Sequence, residues 1–181
     1  MRPDLRNKYK NEIIDKLQEK FQYKNQHEVP KIVKIQLNQC LGTNATNNKT
    51  LEKAIQEMRT ISGLQPLVTK AKKSVAGFKI REDQPLGITV TLRKKYMYSF
   101  LERLIHLVLP RTRDFQGLST SSFDKFGNYN FGLQNQLVFP EIPYESVNEL
   151  RGLNITIVTT AKSKAEGLAL LESFGVPFKN K

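Results

Sequence analysis

Four short stretches of this chain alternate apolar and polar residues one by one, and that pattern restricts the fold more than any other feature. They are Val33-Lys34-Ile35-Gln36-Leu37-Asn38, Ile88-Thr89-Val90-Thr91-Leu92-Arg93, Asn128-Tyr129-Asn130-Phe131 and Leu153-Asn154-Ile155-Thr156-Ile157. A strand turns successive side chains to opposite faces, so each stretch has one apolar and one polar side. Strands covered on both faces read as continuous apolar runs. Strict alternation belongs instead to an antiparallel-rich sheet with helices on one face and the other face open.

The covering helices have their own periodicity. Leu5, Tyr9, Ile13, Leu17 and Phe21 form one stripe on a helix from about Pro3 to Tyr23, with Pro3 in the first turn. A second helix follows an Asn47-Asn48 cap, turns Leu51, Ala54, Ile55, Met58 and Ile61 inward and ends at Gly63. A third carries Met97, Phe100, Leu101, Leu104, Ile105 and Val108 and is expected to stop at Pro110. The fourth opens with a capping box, Ser163 to Glu166, and buries Leu170, Leu171 and Phe174 before Gly175. The expected fold class is α+β, in a single domain over residues 1–181; at 39% hydrophobic content the chain can build one core.

The polar side of the strands presents Lys34, Gln36, Asn38, Thr89, Thr91, Arg93, Asn128, Asn130, Asn154 and Thr156. Amides and hydroxyls there can meet phosphates, sugar hydroxyls and base edges. An ordinary solvated sheet face would carry similar residues. Net charge shifts the balance: 29 Lys and Arg against 17 Asp and Glu give +12 and call for a polyanionic partner. Sheets that read single-stranded RNA by stacking expose aromatics. Here Tyr129 and Phe131 fall on the apolar side, so a folded RNA read by shape and backbone is expected.

Charge is distributed unevenly. Thr69 to Arg81 contains five cations (Lys70, Lys72, Lys73, Lys79 and Arg81), no acid, and the small residues Ser74, Ala76 and Gly77. A protruding basic hairpin over about 69–87 is expected, small enough for a backbone to approach a phosphate. Arg93-Lys94-Lys95 adds a second cationic patch, whereas residues 126–150 hold Glu141, Glu145 and Glu149 with no Lys or Arg. Such an acidic stretch suits solvent or a basic protein.

Nothing supports catalysis, a metal or a cofactor. His27 and His106 lie far apart, with His106 expected in or near the core, and Cys40, the only cysteine, reads as a small buried residue. There is no ligand cluster at metal spacing, no phosphate-binding glycine loop and no dinucleotide fingerprint. Leu104 to Leu109, interrupted by His106, is too short to cross a membrane. Met1-Arg2-Pro3-Asp4 leads straight into a helical pattern, which suggests synthesis in the compartment of use.

The run from Ile61 to Arg81, Ile-Ser-Gly-Leu-Gln-Pro-Leu-Val-Thr-Lys-Ala-Lys-Lys-Ser-Val-Ala-Gly-Phe-Lys-Ile-Arg, resembles the signature of the universal large-subunit ribosomal protein five family. Collinear matches continue through Val90-Thr91-Leu92-Arg93, Leu109 to Leu118, Ser122-Phe123-Asp124, Gly127-Asn128-Tyr129, Phe139 to Ile142, Arg151-Gly152-Leu153 and Pro177-Phe178. The resemblance implies a non-enzymatic protein of the central protuberance that binds 5S rRNA and large-subunit rRNA. It implies 5S rRNA contacts at Asn38 and Thr91, and we extend that surface to Lys34, Gln36, Gln65, Thr89, Arg93 and Lys94. The matching basic hairpin, with Lys70, Lys72, Lys73, Ser74, Gly77, Lys79 and Arg81, would touch the elbow of P-site tRNA. A bridge to a basic protein of the small-subunit head would involve Arg111, Arg113, Glu141 and Glu145.

Two departures from the family pattern bear on this. The family's Gly-Gln-x-Pro glutamine is replaced by Leu64, with Gln65 one place later, and Lys94 stands where glycine is usual. Thr112, Gln116 and the wealth of Lys and Asn resemble plastid members, with a bacterial cytoplasmic protein as the alternative. A ribosome-associated translation factor or RNA chaperone is the competing class, and an RNA-modifying enzyme would need a cofactor or an acid/base pair in a cleft.

Overall fold

A computed structural model describes residues 5–42, 45, 47–144, 147 and 149–179. The fold is α+β, with a five-stranded antiparallel sheet of order β2-β3-β1-β5-β4. The strands are β1 (Ile32–Cys40), β2 (Leu67–Lys70), β3 (Pro85–Leu92), β4 (Tyr129–Leu133) and β5 (Leu153–Thr159). The chain forms two compact units, one of residues 1–35, 93–131 and 156–181, the other of residues 36–92 and 132–155. β1, β4 and β5 each continue from one unit into the other.

In the first unit, α1 comprises Leu5–Lys8, a wide π-turn at Tyr9–Ile13, and Ile14–Phe21. Apolar residues every four positions drift by about 40° per step around a 3.6-residue helix. The π-turn takes in one extra residue and swings the stripe back. Leu5, Ile13 and Leu17 are accordingly buried, and Tyr9 stacks on Phe174 at 5.9 Å with ring planes 8° apart. The Tyr9 hydroxyl donates to Pro30 O at 3.1 Å; burial, with Tyr98 beside it, pushes its pKa up to about 12. The helix stops at Phe21 because Gln22 takes a left-handed φ of 54°. Pro3, expected in the first turn, lies outside the described residues.

The same device recurs in α3: Lys94–Arg103, a π-turn at Leu104–Val108, and Leu109–Arg111. Pro110 was expected to end this helix and does not. The π-turn has already reset the hydrogen-bond ladder, so Pro110 sits at the start of a fresh turn, where its missing N–H has no duty. α4 (Lys164–Phe174) starts as expected, with Ser163 Oγ accepting from Glu166 N at 3.4 Å. The Glu166 carboxylate, however, reaches the backbone of Lys162 (2.8 Å) rather than closing the box on Ser163.

In the second unit, α2 (Asn48–Ser62) is capped by the Asn47 side chain, which accepts from Lys49 N at 3.1 Å. It ends at Gly63, whose φ of 71° suits a residue without Cβ. Ala54, Met58 and Ile61 are buried, and α2 packs on β3. Gln136, which is buried, ties the start of the segment after β4 to the residues that lead into β5. Its amide donates to Glu149 O (2.8 Å) and Glu57 Oε2 (3.4 Å), and its carbonyl accepts from Arg151 N.

Candidate nucleic-acid interface

Alternation does sort the strand residues by face. Ile35, Leu37, Ile88, Val90, Leu92, Tyr129, Leu153, Ile155 and Ile157 are buried, while the polar positions between them are exposed or half-buried. Two residues of β1 depart from expectation. Val33 is 37% exposed because the alternation is broken between Ile32 and Lys34. Cys40 is exposed rather than buried, because it shares the parity of Lys34, Gln36 and Asn38.

Within the second unit the polar positions are not equivalent. Thr89 donates its hydroxyl to Leu37 O at 3.0 Å and receives the Gln36 amide at 3.5 Å, so both residues are partly occupied by the fold. Asn38 and Thr91, on the adjacent strands β1 and β3, are exposed and make no side-chain hydrogen bond to a described residue. Gln65 is exposed too, while Leu64 is half-buried, with its backbone N–H and carbonyl both bonded to Ser62 Oγ (3.2 and 3.0 Å).

Within the first unit Lys34 is half-buried, and Arg93 and Lys94 are exposed where β3 leads into α3. Lys94 has φ 51°, the left-handed conformation in which Cβ meets the following carbonyl. Asn130 and Thr156 pair across β4 and β5 at 3.1 Å. Asn128, expected to face outward with them, is instead a structural pin. Its amide N–H₂ donates to Asp124 Oδ2 (2.7 Å), its carbonyl accepts from Thr159 N (3.0 Å), and its backbone N–H meets Asp124 Oδ1 (2.7 Å). Despite a desolvation effect in the other direction, hydrogen bonds from Asn128 and Phe126 hold the Asp124 pKa below the usual carboxylate value.

The basic segment connects β2 to β3, which pair antiparallel with Leu67 opposite Thr89 and Lys70 opposite Pro85. Every residue from Lys72 to Lys79 is exposed, Arg81 likewise, and β3 begins only at Pro85. The loop has an internal ladder. Ala71 N donates to Gln84 O (2.9 Å) and Glu82 N to Ser74 Oγ (2.9 Å), while Val75 and Ile80 exchange two backbone bonds (2.9 and 3.2 Å). Among the described residues Lys70, Lys72, Lys73, Lys79 and Arg81 form no ion pair. The charge is presented, not neutralised.

Of the residues assigned to an intersubunit contact, Arg111 and Arg113 are exposed in the first unit, with Arg113 Nε 3.5 Å from Asp114. Glu141 is half-buried in the second unit, and Glu145 lies outside the described residues. His106 is exposed on α3. Among the described residues there is no cluster of His, Cys, Asp and Glu able to hold a metal, and no helix long and apolar enough to cross a membrane.

Two family models cover the chain: Ribosomal protein L5 over residues 25–81, and the ribosomal L5P family C-terminus over residues 85–178. The chain belongs to the ribosomal protein L5 family. It is similar to Large ribosomal subunit protein uL5c of Heterosigma akashiwo, 64% identical over 99% of each chain. It is also similar to the uL5c of Rhodomonas salina, 57% identical over 99% of each, and of Pyropia yezoensis, 58% identical over 97% of each. Members of the L5 family are structural proteins, and this chain is not an enzyme. Lys94 holds, with a side chain, a backbone conformation that glycine adopts without strain.

Proposed function

We propose that this L5 protein, a structural constituent of the large subunit of the plastid ribosome, anchors 5S rRNA on the polar side of β1 and β3. The observation that carries the reading is the pair Asn38 and Thr91. Both are exposed and left unengaged by the described residues, while their neighbours Gln36 and Thr89 bond each other. An amide and a hydroxyl held ready in this way suit sugar hydroxyls, phosphates and base edges. Arg93 and Lys94 add charge in the following segment, Lys34 lies in the same strand as Asn38, and Gln65 offers an amide near the position of the family glutamine.

On this reading the basic loop, with Lys70, Lys72, Lys73, Ser74, Gly77, Lys79 and Arg81, contacts P-site tRNA. Arg111, Arg113, Glu141 and Glu145 contribute to a bridge with a protein of the small-subunit head. Large-subunit rRNA supplies the remaining phosphates for a chain of net charge +12.

The test is a binding titration of purified protein with 5S rRNA. Asn38→Ala and Thr91→Ala should each weaken binding about three- to tenfold, the worth of one lost hydrogen bond, with thermal melting unchanged. Unaltered affinity in both variants would remove the sheet from the RNA contact. In parallel, the protein should sediment stoichiometrically with large subunits through a high-salt wash; a factor that cycles on and off would be stripped.

A further inference from the structure

In the sheet Tyr129 is buried and Phe131 half-buried, but the loop leaves its aromatic in solvent. Phe78 is 73% exposed and Val75 42%, in the middle of the segment that carries the loop cations. A large aromatic ring in water is unfavourable to keep, and here the fold supports it. Phe78 closes a tight turn, Ala76–Phe78, in which Phe78 N bonds Val75 O (3.3 Å) and Lys79 N bonds Ala76 O (3.1 Å). Lys79 follows with φ 53°, a conformation unfavourable for lysine that completes the turn. The Val75–Ile80 pair then fixes the turn to the ladder below it.

The neighbouring Gly77 has no role in folding that would demand glycine. Its φ is not positive, and a Cβ built there would meet nothing within 4 Å. Ala76 is small as well, so no bulky residue immediately precedes the ring in sequence. Lys72, Lys73 and Lys79, in the same loop, are exposed and unpaired among the described residues.

We propose that Phe78 is a stacking platform for one unpaired nucleobase of a folded RNA, with the surrounding lysines on the flanking phosphates. The charge complementarity selects a polyanion, and the flat exposed ring selects a partner with a π face. This recognition mode differs from that of the sheet, where amides and hydroxyls read shape and backbone. The inference rests on the proposed contact between the loop and RNA and specifies what that contact reads.

The experiment uses the full-length protein and two RNA probes of equal length. One is a hairpin with a single bulged 2-aminopurine, the other the same hairpin fully paired with 2-aminopurine inside the stem. Wild type should prefer the bulged probe and change its fluorescence on binding. Phe78→Ala should lose that preference, with bulge affinity falling on the order of ten- to a hundredfold, while Phe78→Tyr retains it. Lys72→Ala with Lys73→Ala should weaken both probes alike.

If the lysine variant is impaired and Phe78→Ala still distinguishes the probes, stacking is wrong but the RNA contact of the loop stands. When neither variant changes RNA binding, both readings fail. If Phe78→Leu performs as well as wild type, the contact is merely apolar and the platform is refuted. A loss confined to binding of anionic phosphatidylglycerol vesicles would assign the ring to lipid and also overturn the proposal.

Discussion

The polar side of the sheet and the basic loop both belong to a cationic protein, yet they are built on opposite plans. On the sheet many polar groups already serve the fold: Thr89 bonds Leu37 and Gln36, Asn130 bonds Thr156, and Asn128 is locked between Asp124 and Thr159. What remains free is sparse and is carried on paired strands. In the loop a hydrogen-bonded ladder holds the backbone, and Lys72, Lys73, Phe78, Lys79 and Arg81 are left exposed to solvent. The sheet thus offers few, positioned, mostly neutral contacts, whereas the loop offers charge and one aromatic ring. Positioned neutral groups favour selectivity, while unpaired cations favour attraction at a distance.

That contrast can be broken most forcefully with salt. If about six to ten phosphates are engaged, overall RNA affinity should fall about a thousandfold or more from low to moderate ionic strength, measured by filter binding. A flat response would mean that the cations are bystanders. Next in size, Lys72→Ala with Lys73→Ala should cut tRNA affinity about tenfold and reduce the salt slope by about two, leaving 5S rRNA affinity intact. Loss of 5S rRNA binding in this variant would show that the two surfaces had been assigned the wrong way round.

Smaller effects sharpen the comparison where β3 ends. Lys94→Gly relieves a left-handed lysine whose conformation costs about 1 kcal/mol, so the variant should melt a few degrees higher while binding RNA more weakly. A lower melting temperature would show the strain to be compensated elsewhere. An effect of similar size concerns Asp124. Its folded-state pKa is lowered, so its stabilisation is fully present above the ordinary carboxylate range and is lost as pH falls through the folded value. Asp124→Ala should lower stability by about 1 kcal/mol at neutral pH, the bonds being largely solvent-exposed, and the gap to wild type should close in acid. Urea midpoints across pH 2–7 measure it.

Much of this was legible in the residues. Parity placed Ile35, Leu37, Ile88, Val90, Leu92, Ile155 and Ile157 in the core, and the Asn47 and Ser163 caps fell where side-chain chemistry requires. Parity also predicts an exposed Cys40; the general tendency of cysteine to be buried argued the other way, and geometry won. The role of Asn128 was hidden because an amide used twice for structure has the same letter as one offered to a ligand. Phe78 was hidden by its surroundings: a lone aromatic in a charged loop carries no periodicity by which to judge its burial. The left-handed Lys94 was signalled only by the resemblance, through the glycine that it replaces.

The two π-turns amount to single-residue insertions that their helices have absorbed. Deleting one residue from Tyr9–Ile13 should convert that turn to an ordinary one and rotate everything before it by roughly 100° relative to Leu17. Leu5 would then leave the core although no apolar side chain had been removed. Helix length in this protein is therefore a phase setting, and a shortened α1 would be damaged by misdirection rather than by lost hydrophobicity.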